Sequence, residues 1–296
     1  MSTVFPLEGR SYTPSAAWRD STANASWTAR RRKTAFTEGG RPWHDCRDSQ
    51  PRWSMSTYVL VHGAWHGSWC WKRVRKALEA QGHEVFTPTL TGVGERSHLL
   101  SPQVDLETHI RDVMNLIRWE ELSSIVLCGH SYAGCVVRSV ADRVPERIGA
   151  LIYLDAFVPE DGQSLSSTLP PEQWNAHLEL TRLHGEGWKV PPITAAAFNV
   201  NAKDAEWMDR QCTVQPLATF QQPLRLSGRC DTLKDITYIL ATGYGNSPFR
   251  QFYERAKAKG WKTLSMACGH DVMLDMPEEL TTILLNAATR GAASGA

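Results

Sequence analysis

The sequence predicts an α/β protein: a mostly parallel sheet flanked by helices, with a helical cap inserted over one edge. Three observations carry this. Short apolar runs alternate with amphipathic stretches from Thr57 onward, the pattern of parallel strands joined by covering helices. One connection, residues 158–235, is far too long for an ordinary loop, and its prolines and helical stretches mark an inserted cap. The segment Gly129-His-Ser-Tyr-Ala-Gly134 joins an apolar strand to a helix with small residues at 129, 133 and 134, which a sharp turn with close strand–helix packing requires.

The elements follow in order. Tyr58–Val61 reads as a buried strand entering a turn at His62-Gly63. Lys72–Gln81 has helical spacing through Val74 and Leu78 and stops at Gly82. His83–Phe86 is a second strand, and Leu106–Trp119 an amphipathic helix with Ile110, Val113, Met114 and Ile117 on one face. Ser124–Cys128 is the third strand, Ala133–Val144 a helix beginning on small residues, and Gly149–Leu154 the fourth strand. Helical stretches at Pro171–Leu183 and Lys203–Arg210 belong to the cap. Strands at Ile236–Leu240 and Lys262–Met266 enclose a helix near Phe249–Ala258, and Glu278–Ala287 closes the fold. The core is therefore expected in residues 55–157 and 236–296.

Residues 1–54 lack sustained periodicity and hold nine basic and five acidic residues, against 23 basic and 26 acidic in the remainder. They read as a basic, flexible extension. Arg30-Arg-Arg-Lys33 is not followed by the apolar segment that an export signal needs. Met55 leads straight into the first strand and is a candidate natural start.

A formal charge of +1 gives no case for nucleic acid or an anionic membrane as partner. No run of eighteen apolar residues occurs, so no membrane span is expected. Seven scattered cysteines without a CxxC pair suggest reduced thiols in a cytoplasmic protein rather than a disulfide framework or a zinc site.

The chemistry concentrates at strand ends. In Gly129–Gly134 the serine sits between strand and helix, the context of a nucleophile elbow, although Ala133 replaces the last glycine of GxSxG. A serine hydroxyl needs a base. His270, in the loop directly after the last strand, is placed for that role; His62, His66 and His130 flank the turns and are expected to shape the pocket. An acid should orient the base, and the loop after the penultimate strand offers none from Ile236 to Tyr253. Asp155, ending the fourth strand, is the candidate; Asn246 is the uncharged alternative, and Asp271 should point elsewhere. An acyl-transfer oxyanion needs two N–H donors. Tyr132, after the serine, and Ala64, in the turn after the first strand, are assigned.

Tyr58-Val-Leu-Val-His-Gly-Ala-Trp-His-Gly-Ser-Trp-Cys-Trp71, Gly129–Gly134 and Gly269-His-Asp-Val-Met-Leu274 together resemble the α/β-hydrolase branch of plant methylesterases, hydroxynitrile lyases and related bacterial esterases. Phe86–Ser97 resembles the bacterial members in particular. The likeness runs from about Met55 to the C-terminus. It implies a Ser/His/acid esterase without cofactor or metal. The plant members carry the acid after the penultimate strand, where this chain has none. The lyases carry Thr at the place of Gly63 and Lys at that of Asp271.

Trp65, Trp69, Trp174 and Trp188 are assigned to an apolar pocket between cap and sheet. The expected activity is hydrolysis of small to medium hydrophobic esters, with a small-molecule ester as partner. A cofactor-free lyase of the hydroxynitrile type and a non-catalytic ligand-binding protein are the alternatives.

Overall fold

The computed structural model describes residues 55–245 and 247–293. The basic extension expected over residues 1–54 lies outside them. Four strands come first: β1 (Thr57–Val61), β2 (Glu84–Phe86), β3 (Ile125–His130) and β4 (Ile148–Leu154). The insertion contributes β5 (Lys189–Val190) and β6 (Gln215–Pro216), an antiparallel pair. β7 (Ile236–Ala241) and β8 (Lys262–Met266) complete the main sheet, which is parallel throughout in the order β2-β1-β3-β4-β7-β8.

Residue choice explains the layering. Every residue of β3 and β7 is buried, as continuous apolar strands covered on both faces must be. β8, at the sheet edge, exposes Lys262 and Ser265. Helices α1 (Lys72–Glu79), α2 (Leu106–Trp119) and α3 (Ala133–Arg143) follow β1, β2 and β3. The α2 N-terminus is closed by Asp105, which accepts from the Thr108 N–H at 2.8 Å.

β3 runs two residues beyond Cys128, because Gly129 and His130 stay paired with Tyr153 and Leu154 of β4. The direction of winding reverses between β1 and β3, so their carboxyl ends open a crevice there.

Between β4 and β7 lie α4 (Leu165–Thr168), α5 (Pro171–His184), α6 (Ala202–Gln211) and α7 (Ala218–Gln221). Arg73 of α1 grips Asp204 of α6 through two bonds of 2.5 and 2.7 Å. The trailing part of the insertion does not cover the sheet edge. Ser227 and Cys230 donate backbone N–H bonds of 2.6 and 3.1 Å to Asp142 of α3, so that stretch packs on the core.

α8 (Arg250–Ala258) and α10 (Pro277–Ala293), with the short α9 (Val272–Asp275) between them, end the chain. Among the described residues no helix is long and apolar enough to cross a membrane, and the six cysteines form no disulfide.

Candidate active site

The site grows from strand ends. Ser131 takes a left-handed backbone, φ 54°, which a side-chain-bearing residue adopts only under support. Its N–H donates to the Leu154 carbonyl (3.2 Å), and its own carbonyl accepts from Gly134 (3.1 Å) and Phe157 (3.0 Å). Gly129 is required here: a Cβ would stand 2.8 Å from the Ala133 carbonyl oxygen and 2.6 Å from Cγ2 of Val137. Gly134 is equally constrained, 2.1 Å from the Phe157 carbonyl oxygen. The alanine at position 133 is fully buried without disturbing the turn.

Asp155 directly follows β4 and also has positive φ, 41°. Its N–H donates to Ile239 (2.7 Å), and its Oδ1 accepts from the Ala241 N–H at 3.1 Å. Oδ2 lies 2.7 Å from Nδ1 of His270, with both groups buried. The alternative Asn246 is outside the described residues. Its loop is tied to the histidine loop by the Gly243 N–H, which donates to the Cys268 carbonyl at 2.8 Å, and by the Tyr244 ring, 5.4 Å from that of His270.

His270 is held from several sides. Its N–H donates to Phe198 of the insertion (2.9 Å), and Phe249 stacks on its ring at 4.8 Å and 6°. Burial lowers its pKa to about 4, leaving a free base at neutral pH. Burial pushes the Asp155 carboxyl upward, opposed by the Ala241 N–H; the bond to Nδ1–H favours the ionised form further.

Behind β1, Gly63 is also dictated by sterics. A Cβ there would stand 2.9 Å from Cβ of Ser131 and 2.9 Å from Nδ1 of His130. The Trp65 N–H is engaged by Gln215 Oε1 at 3.2 Å. Among the described residues the N–H groups of Ala64 and Tyr132 have no protein acceptor. The Tyr132 ring is held down by its hydroxyl, 2.9 Å from Nδ1 of His109.

A cavity is lined by Ser131, His270, Ala64 and Tyr132 together with Trp65, Phe157, Phe198, Phe220 and Phe249. Among the described residues that line it, none is Asp, Glu, Lys or Arg. Of the four tryptophans assigned to the pocket, only Trp65 lines it. Trp69 is turned onto His66 (4.9 Å) and Trp207 (5.1 Å). Trp174 packs against His177 at 6.4 Å, and Trp188 lies under the Lys189 ammonium. Periodicity locates aromatic residues on an element, but not which of two packed faces meets the cavity.

The phenylalanines that do line it gave no sequence signal, since buried Phe serves any core. Gln173 and His177 also face the cavity from α5, and their spacing of four residues was the available clue. His62, His66 and His130 lie beneath the cavity instead of on its wall. Among the described residues no group of three His, Cys, Asp or Glu side chains is placed to hold a metal.

A model of the α/β hydrolase family matches residues 58–282. A carbendazim hydrolyzing esterase from Nocardioides sp. (strain SG-4G) is 48% identical over 234 residues, covering 76% of this chain and 97% of that protein. Salicylic acid-binding protein 2 from Nicotiana tabacum is 33% identical over 134 residues, covering 44% of this chain and 48% of that protein. Methylesterase 1 from Arabidopsis thaliana is 33% identical over 135 residues, covering 40% of this chain and 48% of that protein.

Among solved structures, an extracellular α/β-hydrolase from a Paenibacillus species matches with a TM-score of 0.69 at 23% identity, over 78% of this chain and 98% of that one. A pyrethroid hydrolase from Sphingobium faniae JZ-2 matches with 0.65 at 23%, over 81% and 100%; at such identity the likeness speaks for the fold. The esterases among the relatives support hydrolysis of carboxylic esters. By sequence and by architecture, the chain belongs to the α/β hydrolase family.

Proposed function

We propose that this chain is a serine carboxylesterase in which Ser131 is the nucleophile, His270 the base and Asp155 the orienting acid. The observation that carries this is the buried 2.7 Å contact between Asp155 and His270 Nδ1, at the floor of the cavity that Ser131 and His270 share.

His270 takes the Ser131 proton as Oγ attacks the ester carbonyl carbon. Asp155 fixes the tautomer with Nδ1–H and stabilises the imidazolium that forms. The oxyanion is received by the N–H groups of Ala64 and Tyr132. The alcohol leaves with the proton from His270, and water then resolves the acyl-enzyme by the same steps in reverse order. No cofactor enters this scheme.

The uncharged, aromatic wall of the cavity suits small to medium hydrophobic esters. Carbendazim, named for the 48% identical relative, belongs in the substrate panel. The hydroxynitrile-lyase alternative gains nothing from the geometry: Gly63 leaves no room for a threonine Cβ, and Asp271 turns away from the cavity toward His66. The free cysteines motivate a cytoplasmic setting.

The test is p-nitrophenyl butyrate hydrolysis by wild type, Ser131→Ala, His270→Ala and Asp155→Asn. Loss of several orders of magnitude in kcat in each variant is expected. Wild-type turnover surviving Ser131→Ala would refute the assignment, and an inert wild type that still binds hydrophobic ligands would favour the binding-protein alternative.

A further inference from the structure

Asp271 follows the base directly, yet its carboxylate is fully buried and turned from the cavity, with Oδ1 2.9 Å from Nε2 of His66. Among the described residues neither Asp271 oxygen receives an aligned hydrogen bond. A buried carboxylate so placed needs a cation beside it. The other ring nitrogen of His66, Nδ1, lies 2.7 Å from the Ala64 carbonyl oxygen. That oxygen only accepts, so Nδ1 carries a hydrogen. A bare Nε2 lone pair facing a carboxylate at 2.9 Å would repel it, so Nε2 carries one too, and His66 is an imidazolium. Attraction between the two raises the His66 pKa and holds the Asp271 carboxyl well below its ordinary range.

His62 does the neighbouring task as a neutral ring. Its Nε2 accepts from the Leu90 N–H (3.0 Å), so Nδ1–H donates to the Gly63 carbonyl (2.8 Å). Two consecutive carbonyls, Gly63 and Ala64, are thus each held by an imidazole. In a trans peptide the C=O and N–H point in opposite directions. Holding the Gly63 oxygen therefore aims the Ala64 N–H, and holding the Ala64 oxygen aims the Trp65 N–H at Gln215. Trp65 has φ 67°, a conformation that needs such support.

We propose that Asp271 and His66 are positioning residues: a buried ion pair that locks the loop carrying the base to the loop carrying the oxyanion donor. The inference rests on the esterase reading above. It differs from a purely structural role because the charge of Asp271, and not its volume, keeps His66 doubly protonated. His130, His270, Cys70 and Cys212 face the same pair. His130 sits edge-on to His66 at 6.1 Å and contacts the His270 carbonyl oxygen through Nε2 at 3.0 Å.

The experiment uses the full chain as wild type, Asp271→Asn, His66→Ala and Ser131→Ala. It has three readouts: kcat and KM on p-nitrophenyl butyrate, the rate of covalent capture by a fluorophosphonate, and ¹⁵N signals of the histidine rings. In capture the Ser131 Oγ–P bond forms, the P–F bond breaks, fluoride leaves and His270 takes the proton. Capture needs the nucleophile, base and oxyanion donors but no matched ester.

At pH 7.5 the wild type should show one histidine with both ring nitrogens protonated, and that signal should vanish in Asp271→Asn and His66→Ala. Asp271→Asn should lower kcat and the capture rate by about tenfold or more with KM within about threefold, since an oxyanion donor acts mainly in the transition state. His66→Ala should lower them further. A folded Asp271→Asn with kcat and capture within about twofold of wild type overturns the proposal, as does a wild type with no imidazolium. If wild type captures the fluorophosphonate but cleaves no ester, the esterase reading fails, while the capture ratios still decide the positioning role. If it does neither, both fail.

Discussion

The floor and the roof of the cavity are built differently. In the floor helix α3, every residue from Ala133 to Asp142 is buried. The loops around it run through hydrogen-bonded turns at Ser131 and Asp155 with left-handed backbone. In the roof helix α5, only Thr181 is buried, and Leu180 and Leu183 stand exposed. The floor is thus specified atom by atom, often by backbone contact, whereas the roof contributes a few side chains from a lightly packed helix. Under the proposed mechanism, chemistry falls to the floor and substrate choice to the roof. Cores resist changes of a single methyl group, and sparsely packed elements tolerate them.

The largest test of that division lies in the floor. Ser131→Ala or His270→Ala should lower kcat by about 10⁴ or more, and Asp155→Asn by a similar order, with thermal unfolding showing that each variant folds. A roof substitution with an equal effect on kcat would break the comparison.

Gly63→Ala should come next. Its methyl meets Ser131 and His130 at 2.9 Å, so a kcat loss of about 10²-fold, together with a destabilisation of about 1–3 kcal/mol from overpacking, is expected. Denaturant unfolding and steady-state kinetics read the two effects separately.

Acid sensitivity sharpens the picture further. Burial lowers His270 to about 4 and His62 to about 3, against about 6.5 in the unfolded chain. As pH falls below about 6.5 the unfolded state takes up protons that these native rings refuse, so stability should drop on the way to pH 4. His66 works oppositely: its raised pKa contributes stability at low pH, lost as pH rises through its folded value. Burial lowers His109 and His130 in the same direction as His270 and His62, so Tm measured from pH 7.5 to 4.5 should fall on acidification. The acid limb of kcat/KM should lie below the ordinary histidine value of about 6.5, because burial disfavours the His270 imidazolium.

The roof should respond through specificity. Phe220→Ala and His177→Ala alter the cavity wall, and should change KM and chain-length preference by about three- to tenfold while leaving kcat on a small ester near wild type. Smallest of all is Trp188→Ala. That ring lies outside the lining, beside Lys189, and kinetic constants should stay within about twofold.

Legibility followed the same divide. The alternation of strands and helices was readable because buried parallel strands must be apolar over their whole length, and α2 and β8 fall at Leu106–Trp119 and Lys262–Met266 as the pattern required. The serine turn was readable because small residues at 129, 133 and 134 are a steric demand of the close strand–helix approach. The pocket was not. Trp69, Trp174 and Trp188 have the right chemistry, but their orientation depends on what packs across from them, and Phe198 or Phe249 carries no mark in the sequence that separates it from a core residue.

By itself, then, the sequence determined the layer architecture, the strand ends where chemistry can occur and the candidates Ser131 and His270, because local sterics and periodicity act within a few residues. Tertiary structure alone decided that Asp155, 115 residues from His270 in the chain, stands 2.7 Å from it, that Asp271 answers to His66, and which aromatic rings face the cavity. These are relations between segments remote in sequence, set by how the sheet is ordered and how the insertion folds back on it.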